Sequence, residues 1–221
     1  RKVASLRKIV TKHKVKIALG FPEILDKYPE LVNIADGVGD IRFEHIMLEV
    51  LEDLHPKLFL KKYGIKYFAE RLAHRLEKIV LPFAKKNKEV WICNNDFSPY
   101  DLIQFKGGEE EILEKNPALG YRGLFRSLKE SNYMLLPENL AIEKLVKKGY
   151  DNIGVFAPMT RFLSEYLKWK NKFKKIGVKN IKFGLLIETP AVALNFEDFV
   201  PYVDFISFGN NDLTQLTLGL D

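Results

Sequence analysis

Residues 183–221 read FGLLIETPAVALNFEDFVPYVDFISFGNNDLTQLTLGLD. The apolar run Ile181 to Ile187 ends on Glu188, and Thr189-Pro190 breaks it. A helical stretch follows around Ala191 to Phe199. A second apolar run, Phe205 to Phe208, leads through Gly209 to the polar pair Asn211 and Asp212. Strands that are apolar throughout, rather than alternating, are covered on both faces. Joined by a helix, they belong to a parallel sheet.

The same alternation extends back towards the N-terminus. Val15 to Leu19, Ala35 to Arg42, Val90 to Cys93, Tyr121 to Phe125 and Asn152 to Phe156 read as strands. Apolar residues at three-to-four spacing predict helices over Phe43 to Leu54, Tyr67 to Lys85, Pro137 to Lys148 and Phe162 to Ile176. A loop-rich stretch containing Gly107 and Gly108 covers Asn94 to Pro117. The count is about seven β/α units, one short of a closed barrel. The predicted fold is therefore α/β, a (β/α)8 TIM-type barrel truncated before the last β/α unit. Residues 15–221 form the barrel domain, and residues 1–14 a helical lead-in or linker. A doubly wound open sheet is the alternative, but no glycine-rich dinucleotide fingerprint follows the first strand. The chain begins at Arg1 rather than Met and stops at Asp221 directly after the motif, so a fragment or a processed product is expected.

Bulk properties narrow the function. Hydrophobic residues at 47% and charged residues at 29% are ordinary for a soluble globular chain, and no window is apolar enough for a membrane span. The single cysteine, Cys93, excludes an internal disulfide and a Cys-based zinc cluster, and fits a reducing cytoplasm. The net charge of +6 comes from lysines spread along helical stretches, such as Lys144 to Lys148 and Lys168 to Lys175. They read as solvated faces, and no nucleic-acid motif accompanies them.

In a β/α barrel the reactive groups stand where strands end. The polar residues ending an apolar run here are Arg42 with Glu44, then Asp96, Arg122, Arg161, Glu188, and Asn211 with Asp212. Two carboxylates beside an apolar core are costly unless paired or metal-bound, and a few oxygen ligands with room for water suit Mg²⁺. Arginine forks complement phosphate oxygens. A metal beside arginines is what phosphoryl transfer needs. Each residue alone has a plainer reading. Glu188 suits a helix N-terminus, Asn211-Asp212 a helix cap, and a single arginine a surface salt bridge. The four histidines show no metal-ligand spacing, and all read as structural or surface residues.

Together, these segments resemble the PEP-utilising enzymes: phosphoenolpyruvate synthase, pyruvate phosphate dikinase and enzyme I of the sugar phosphotransferase system. The quoted stretch is similar to the family's Glu-x-Pro turn and Gly-x-Asn-Asp-Leu-Thr-Gln motif. DGVGDIRFEH (36–45), NPALGYRG (116–123) and APMTR (157–161) resemble further family segments in the family's order. NDFSPYDLIQFKGGEE (95–110) is spaced as in the synthases.

The resemblance implies a Mg²⁺ site at Glu188 and Asp212, where pyruvate or phosphoenolpyruvate binds. Asn211 would contact the substrate carboxylate, and Arg42 and Arg122 would act on the moving phosphoryl group. It implies a phosphohistidine domain and an ATP-grasp domain as partners outside this sequence, and a homodimer. The activity implied is that of pyruvate, water dikinase, with these 221 residues alone not completing it. Three departures stand out. Cys93 occupies the place of a family arginine, Asn210 replaces a small residue, and the family's catalytic cysteine would lie beyond Asp221. A degenerate, non-catalytic barrel binding a metabolite or partner is the alternative, as is a relative of the dikinase or of enzyme I.

Overall fold

The computed structural model describes residues 11–116 and 119–220. The first ten residues of the expected lead-in lie outside the described part, and residues 11–14 form no regular element. Six strands, β1 (Ile17–Ala18), β2 (Gly37–Arg42), β3 (Glu89–Cys93), β4 (Ile153–Ala157), β5 (Lys182–Ile187) and β6 (Phe205–Phe208), form one sheet. Every neighbouring pair is parallel, and the strands lie side by side in chain order.

That order decides between the two architectures. A doubly wound sheet reverses its strand order once, at the point where ligands bind. Here there is no reversal, so each crossover steps in the same direction and the sheet is singly wound. Helices α1 (Glu23–Lys27) and α2 (Leu31–Ile34) follow β1, and α3 (Phe43–Leu51) and α4 (Pro56–Ala84) follow β2. After β3 come α5 (Pro99–Leu102), α6 (Gly123–Lys129) and α7 (Leu136–Lys147). Helix α8 (Leu163–Lys175) follows β4, α9 (Pro190–Leu194) and α10 (Phe196–Phe199) follow β5, and α11 (Asn210–Leu218) follows β6. Among the described residues no helix is long and apolar enough to cross a membrane.

The outward faces of the strands carry Val90, Ile92, Ile153, Val155, Leu185 and Ile187, all packed in one core with the helices. Helix α4 shows why these segments are helical. His55 caps it by accepting from the Lys57 N–H at 3.2 Å, Pro56 starts it, and Phe68, Leu72, Leu76, Ile79 and Phe83 line its buried side. Gly64, at φ 78° and ψ 162°, kinks it. The expected helix start at Tyr67 therefore marks the second limb only.

The inward face holds a separate cluster. Trp91 on β3 and Phe205 on β6 stack with ring centres 4.1 Å apart, although β4 and β5 lie between them. They meet because the intervening strands carry Gly154 and Gly184 beneath the rings. A Cβ on Gly184 would come within 2.3 Å of Phe205, and one on Gly154 within 2.9 Å of both rings. The result is a curled, six-stranded parallel half-barrel with Cys93, Phe156 and Leu186 as the next inner layer.

One expected strand is absent. In Tyr121 to Phe125, Arg122 is an N-cap and Gly123 opens helix α6, in which Leu124, Arg126 and Ser127 are buried. Five residues with aromatic and apolar side chains do not distinguish a strand from a buried helical turn. The described residues thus form six strands rather than seven.

Gly184→Ala should destabilise the fold by about 1–3 kcal/mol in urea denaturation, the usual cost of overpacking. The penalty should shrink in a Phe205→Leu background, because the three atoms nearest such a Cβ all belong to that ring. A double variant no more stable than the sum of the singles would show that the ring is not what Gly184 accommodates.

Candidate functional site

Parallel strands place all their C-terminal ends on one rim, and the charged residues gather there. Register pairs Arg42, the last residue of β2, with Cys93, the last of β3, and Ile187 with Phe208. Glu188 therefore stands beside Gly209, whose N–H donates to the Ile187 carbonyl at 3.0 Å. Contact is close enough that a Cβ on Gly209 would meet Glu188 Oε2 at 2.4 Å.

Arg122 is the centre of the group. Its Nε donates to Asp96 Oδ1 at 3.1 Å and its Nη2 to Asp96 Oδ2, which makes the pair bidentate. Its Nη1 lies 3.6 Å from Asp212 Oδ1. Gly123 makes this placement possible. It takes φ +60°, and a Cβ there would lie 2.3 Å from Met159 Cβ and 3.2 Å from Asp96. The Met159 N–H in turn donates to Glu188 Oε1 at 2.5 Å. One turn of backbone thus ties the ends of β3, β4 and β5 together.

The electrostatics are those of crowded carboxylates. Burial, with repulsion from Asp96 and Asp212, pushes Glu188 up to about 8, against the pull of the Met159 N–H and Arg122. Burial also pushes Asp96 up, opposed by Arg122 and reinforced by Asp212. Glu44 is raised to about 8 by burial and then by Asp96, and its Oε2 has no hydrogen-bond partner. For Arg122, burial works against the charge, and Asp96, Asp212 and Glu188 overcome it. Arg42 is similarly placed among Glu44, Asp40 and Asp96, with its Nε 3.8 Å from Asp40.

A cavity of about 70 Å³ lies between Arg42, Cys93, Asp96 and Glu188. It adjoins a polar hollow of about 270 Å³ that shares Arg42, Glu44 and Asp96 and adds Arg122. Six residues expected from the sequence, Arg42, Glu44, Asp96, Arg122, Glu188 and Asp212, therefore meet at this rim. Asn211 is the second residue of α11, beside Asp212, and is exposed. Arg161 does not join them. It is bound to Glu165 on α8 and lies 4.4 Å over the Phe125 ring. Asp40 was not expected here. Its position two residues before Arg42 on one strand, hence on the same face, is the available signal.

Among the described residues no three His, Cys, Asp or Glu side chains form a metal-ligating group. A cation held here would take two protein carboxylates and complete its shell with water and substrate oxygens, as Mg²⁺ does. The donor chemistry fits. Asp96 and Asp212 raise the charge cost of Glu188, and Asp212 that of Asp96, with one guanidinium among them, and a divalent cation relieves that repulsion.

The model of the family described as "PEP-utilising enzyme, PEP-binding domain" matches residues 1–221. Over 217 residues the chain is 37% identical to the probable phosphoenolpyruvate synthase of Pyrococcus horikoshii, covering 96% of this chain and 26% of that protein. Identity to the phosphoenolpyruvate synthase of Pyrococcus furiosus is 36%, with the same coverage. Identity to the probable phosphoenolpyruvate synthase of Archaeoglobus fulgidus is 37%, covering 96% of this chain and 28% of that protein. The chain spans about a quarter of the length of these relatives.

The buried carboxyl of Glu44 makes stability depend on pH. Between its ordinary 4.5 and about 8 the folded chain holds more protons than the unfolded one. The stabilisation is complete below about pH 4.5 and is lost as pH rises through about 8. Urea midpoints should fall across that window, and Glu44→Gln should flatten the fall by several kcal/mol. Parallel pH curves for the variant and the parent chain would contradict this assignment.

Proposed function

This chain belongs to the PEP-utilising enzymes, as their PEP-binding domain, and from that premise we propose that it is the pyruvate-binding, phosphoryl-accepting part of a phosphoenolpyruvate synthase. The observation that carries the reading is the rim cluster, in which Arg122 bridges Asp96 and Asp212 beside the buried Glu188. In the whole enzyme, ATP, pyruvate and water would give phosphoenolpyruvate, AMP and phosphate.

Glu188 and Asp212 are the residues to hold Mg²⁺. When bound, the ion supplies a Lewis acid that lowers the cost of the pyruvate enolate. Asn211, exposed at the start of α11, orients the substrate carboxylate. Arg42 and Arg122 face the adjoining hollow, where their forks bind phosphoryl oxygens and take up charge as the group moves. Arg122 is fixed for this by Asp96, so its orientation is set before substrate arrives. Phe156, Leu186 and Cys93 close the floor of the cleft and exclude water from that side.

The donor is a phosphohistidine on a swivelling domain that an ATP-grasp domain recharges, both outside these residues. The half-barrel is read as part of a (β/α)8 TIM-type barrel, to which residues 15–221 contribute the six described strands. Its setting is cytoplasmic, and a homodimer is the expected assembly.

A second reading, a non-catalytic barrel that binds a metabolite or partner, is favoured by Cys93. This buried thiol is the register partner of Arg42, at the place of a family arginine.

Calorimetric titration with oxalate, an enolpyruvate mimic, should show binding in Mg²⁺ that EDTA abolishes and Glu188→Ala weakens at least about tenfold, or about 1.4 kcal/mol. Binding indifferent to both changes would refute the metal assignment. Cys93→Arg should raise affinity a few-fold in a working site, whereas a degenerate site would bind oxalate in neither form.

A further inference from the structure

We propose that Glu138, on α7 and wholly outside the rim, is a positioning residue for Arg122, acting through Asn94, Asn95 and Asp96. The inference rests on the reading of Arg122 given above. Glu138 is 0% exposed, and it lies behind the exit of β3. Asn94 Nδ2 donates to its Oε2, and Asn95 donates to its Oε1 from both Nδ2, at 2.7 Å, and the backbone N–H, at 3.2 Å.

Neither amide is free to turn over. Trp169 Nε1 donates to Asn94 Oδ1 at 2.8 Å, which directs the Asn94 NH₂ at Glu138. Asn95 Nδ2 also donates to the Met134 carbonyl at 3.2 Å, which directs the Asn95 NH₂ the same way. Both oxygens of Glu138 must therefore accept. Burial pushes this carboxyl well up, and the donors from Asn94 and Asn95 oppose that push. A group that only filled space would be less costly as an apolar side chain, since a buried carboxyl without its donors is strongly unfavourable.

The connection to Arg122 runs by two short routes. Asn95 is followed directly by Asp96, which grips Arg122 through Nε and Nη2. The Asn95 carbonyl also accepts from Ser127 Oγ at 3.5 Å, and Ser127 lies on α6, the helix that Arg122 caps. Glu138 thus reaches both partners of the Asp96–Arg122 pair by holding one dipeptide.

The test uses the 221-residue chain. Glu138→Gln keeps shape and places an NH₂ against donors that cannot turn. The Arg122 Nε–H signal in the nitrogen-15 NMR spectrum, assigned with Arg122→Lys, should shift and exchange with water about tenfold faster. Ile142→Ala, buried on the same helix, should lower stability without moving that signal. In Mg²⁺–oxalate titrations, the losses from Glu138→Gln and Arg122→Lys should be non-additive, while Glu138→Gln and Arg42→Lys should add. An unmoved Arg122 signal in the folded variant overturns the proposal, as do additive losses with Arg122→Lys. If the parent chain binds no oxalate, the reading of the site fails, and the Arg122 signal still decides the role of Glu138. Should Glu138→Gln not fold, Asn95→Ala cuts the same connection and must move the signal in its place.

Discussion

Trp91 and Phe205 stack at 4.1 Å although two strands separate them, and that contact holds the sheet in its curl. Two features support it. Gly154 and Gly184 leave the space the rings occupy, and Lys16 lies over the outer face of Trp91 while pairing with Glu89 at 2.8 Å. Curvature then brings the ends of β2 and β5 towards one another across the cleft, so Arg42 and Glu188 line the same cavity. A flat sheet would hold these ends roughly three strand spacings apart, about 14 Å. Rim chemistry depends on an aromatic contact deeper in the half-barrel.

A second constraint is electrostatic. The Asp96–Arg122–Asp212 group is half-buried and tied by backbone to its neighbours. Its carboxylates are fixed where their repulsion cannot relax by side-chain movement. In water two such charges simply separate, whereas here burial raises the cost of ionised Asp96 and Asp212 adds to it. Such crowding is expensive for a domain whose stability is only marginal. On the proposed reading the cost is offset when substrate and cation arrive, which is why it persists.

Much of this was legible in the sequence, for identifiable reasons. Largely apolar runs such as Ile181 to Ile187 identified buried strands, and several of the residues after them, Glu188 among them, meet at the rim. The reading failed where a signal was short or non-local. Tyr121 to Phe125 is as compatible with one helical turn as with a strand, and only the positive φ of Gly123 resolves it. Arg161 ends an apolar run as Arg122 nearly does, yet it turns towards Glu165, a partner one helical turn away. Asp40 was missed because it stands inside the run rather than at its end, although its spacing of two from Arg42 puts both on one face. Glu138 lies 43 residues from Asn95 along the chain, and nothing local announces that contact.

The charge balance of the rim bears on how an anion can bind there at all. Five acids face it, Asp40, Glu44, Asp96, Glu188 and Asp212, against two arginines, Arg42 and Arg122. Fully ionised, that is two minus five, a net of −3, which repels a phosphoryl group. Glu44 and Glu188, both raised to about 8, retain their protons near neutral pH and so reduce that deficit. Cys93 contributes nothing positive, because burial holds its thiol neutral. In the proposed site, then, Glu188 must lose its proton to hold a divalent ion. The swap of one proton for two positive charges makes the rim one unit less negative. Anion and cation are linked by this arithmetic. On the proposed reading, with two arginines at the rim, phosphoryl binding would lean on the cation more heavily than with an arginine in the place of Cys93.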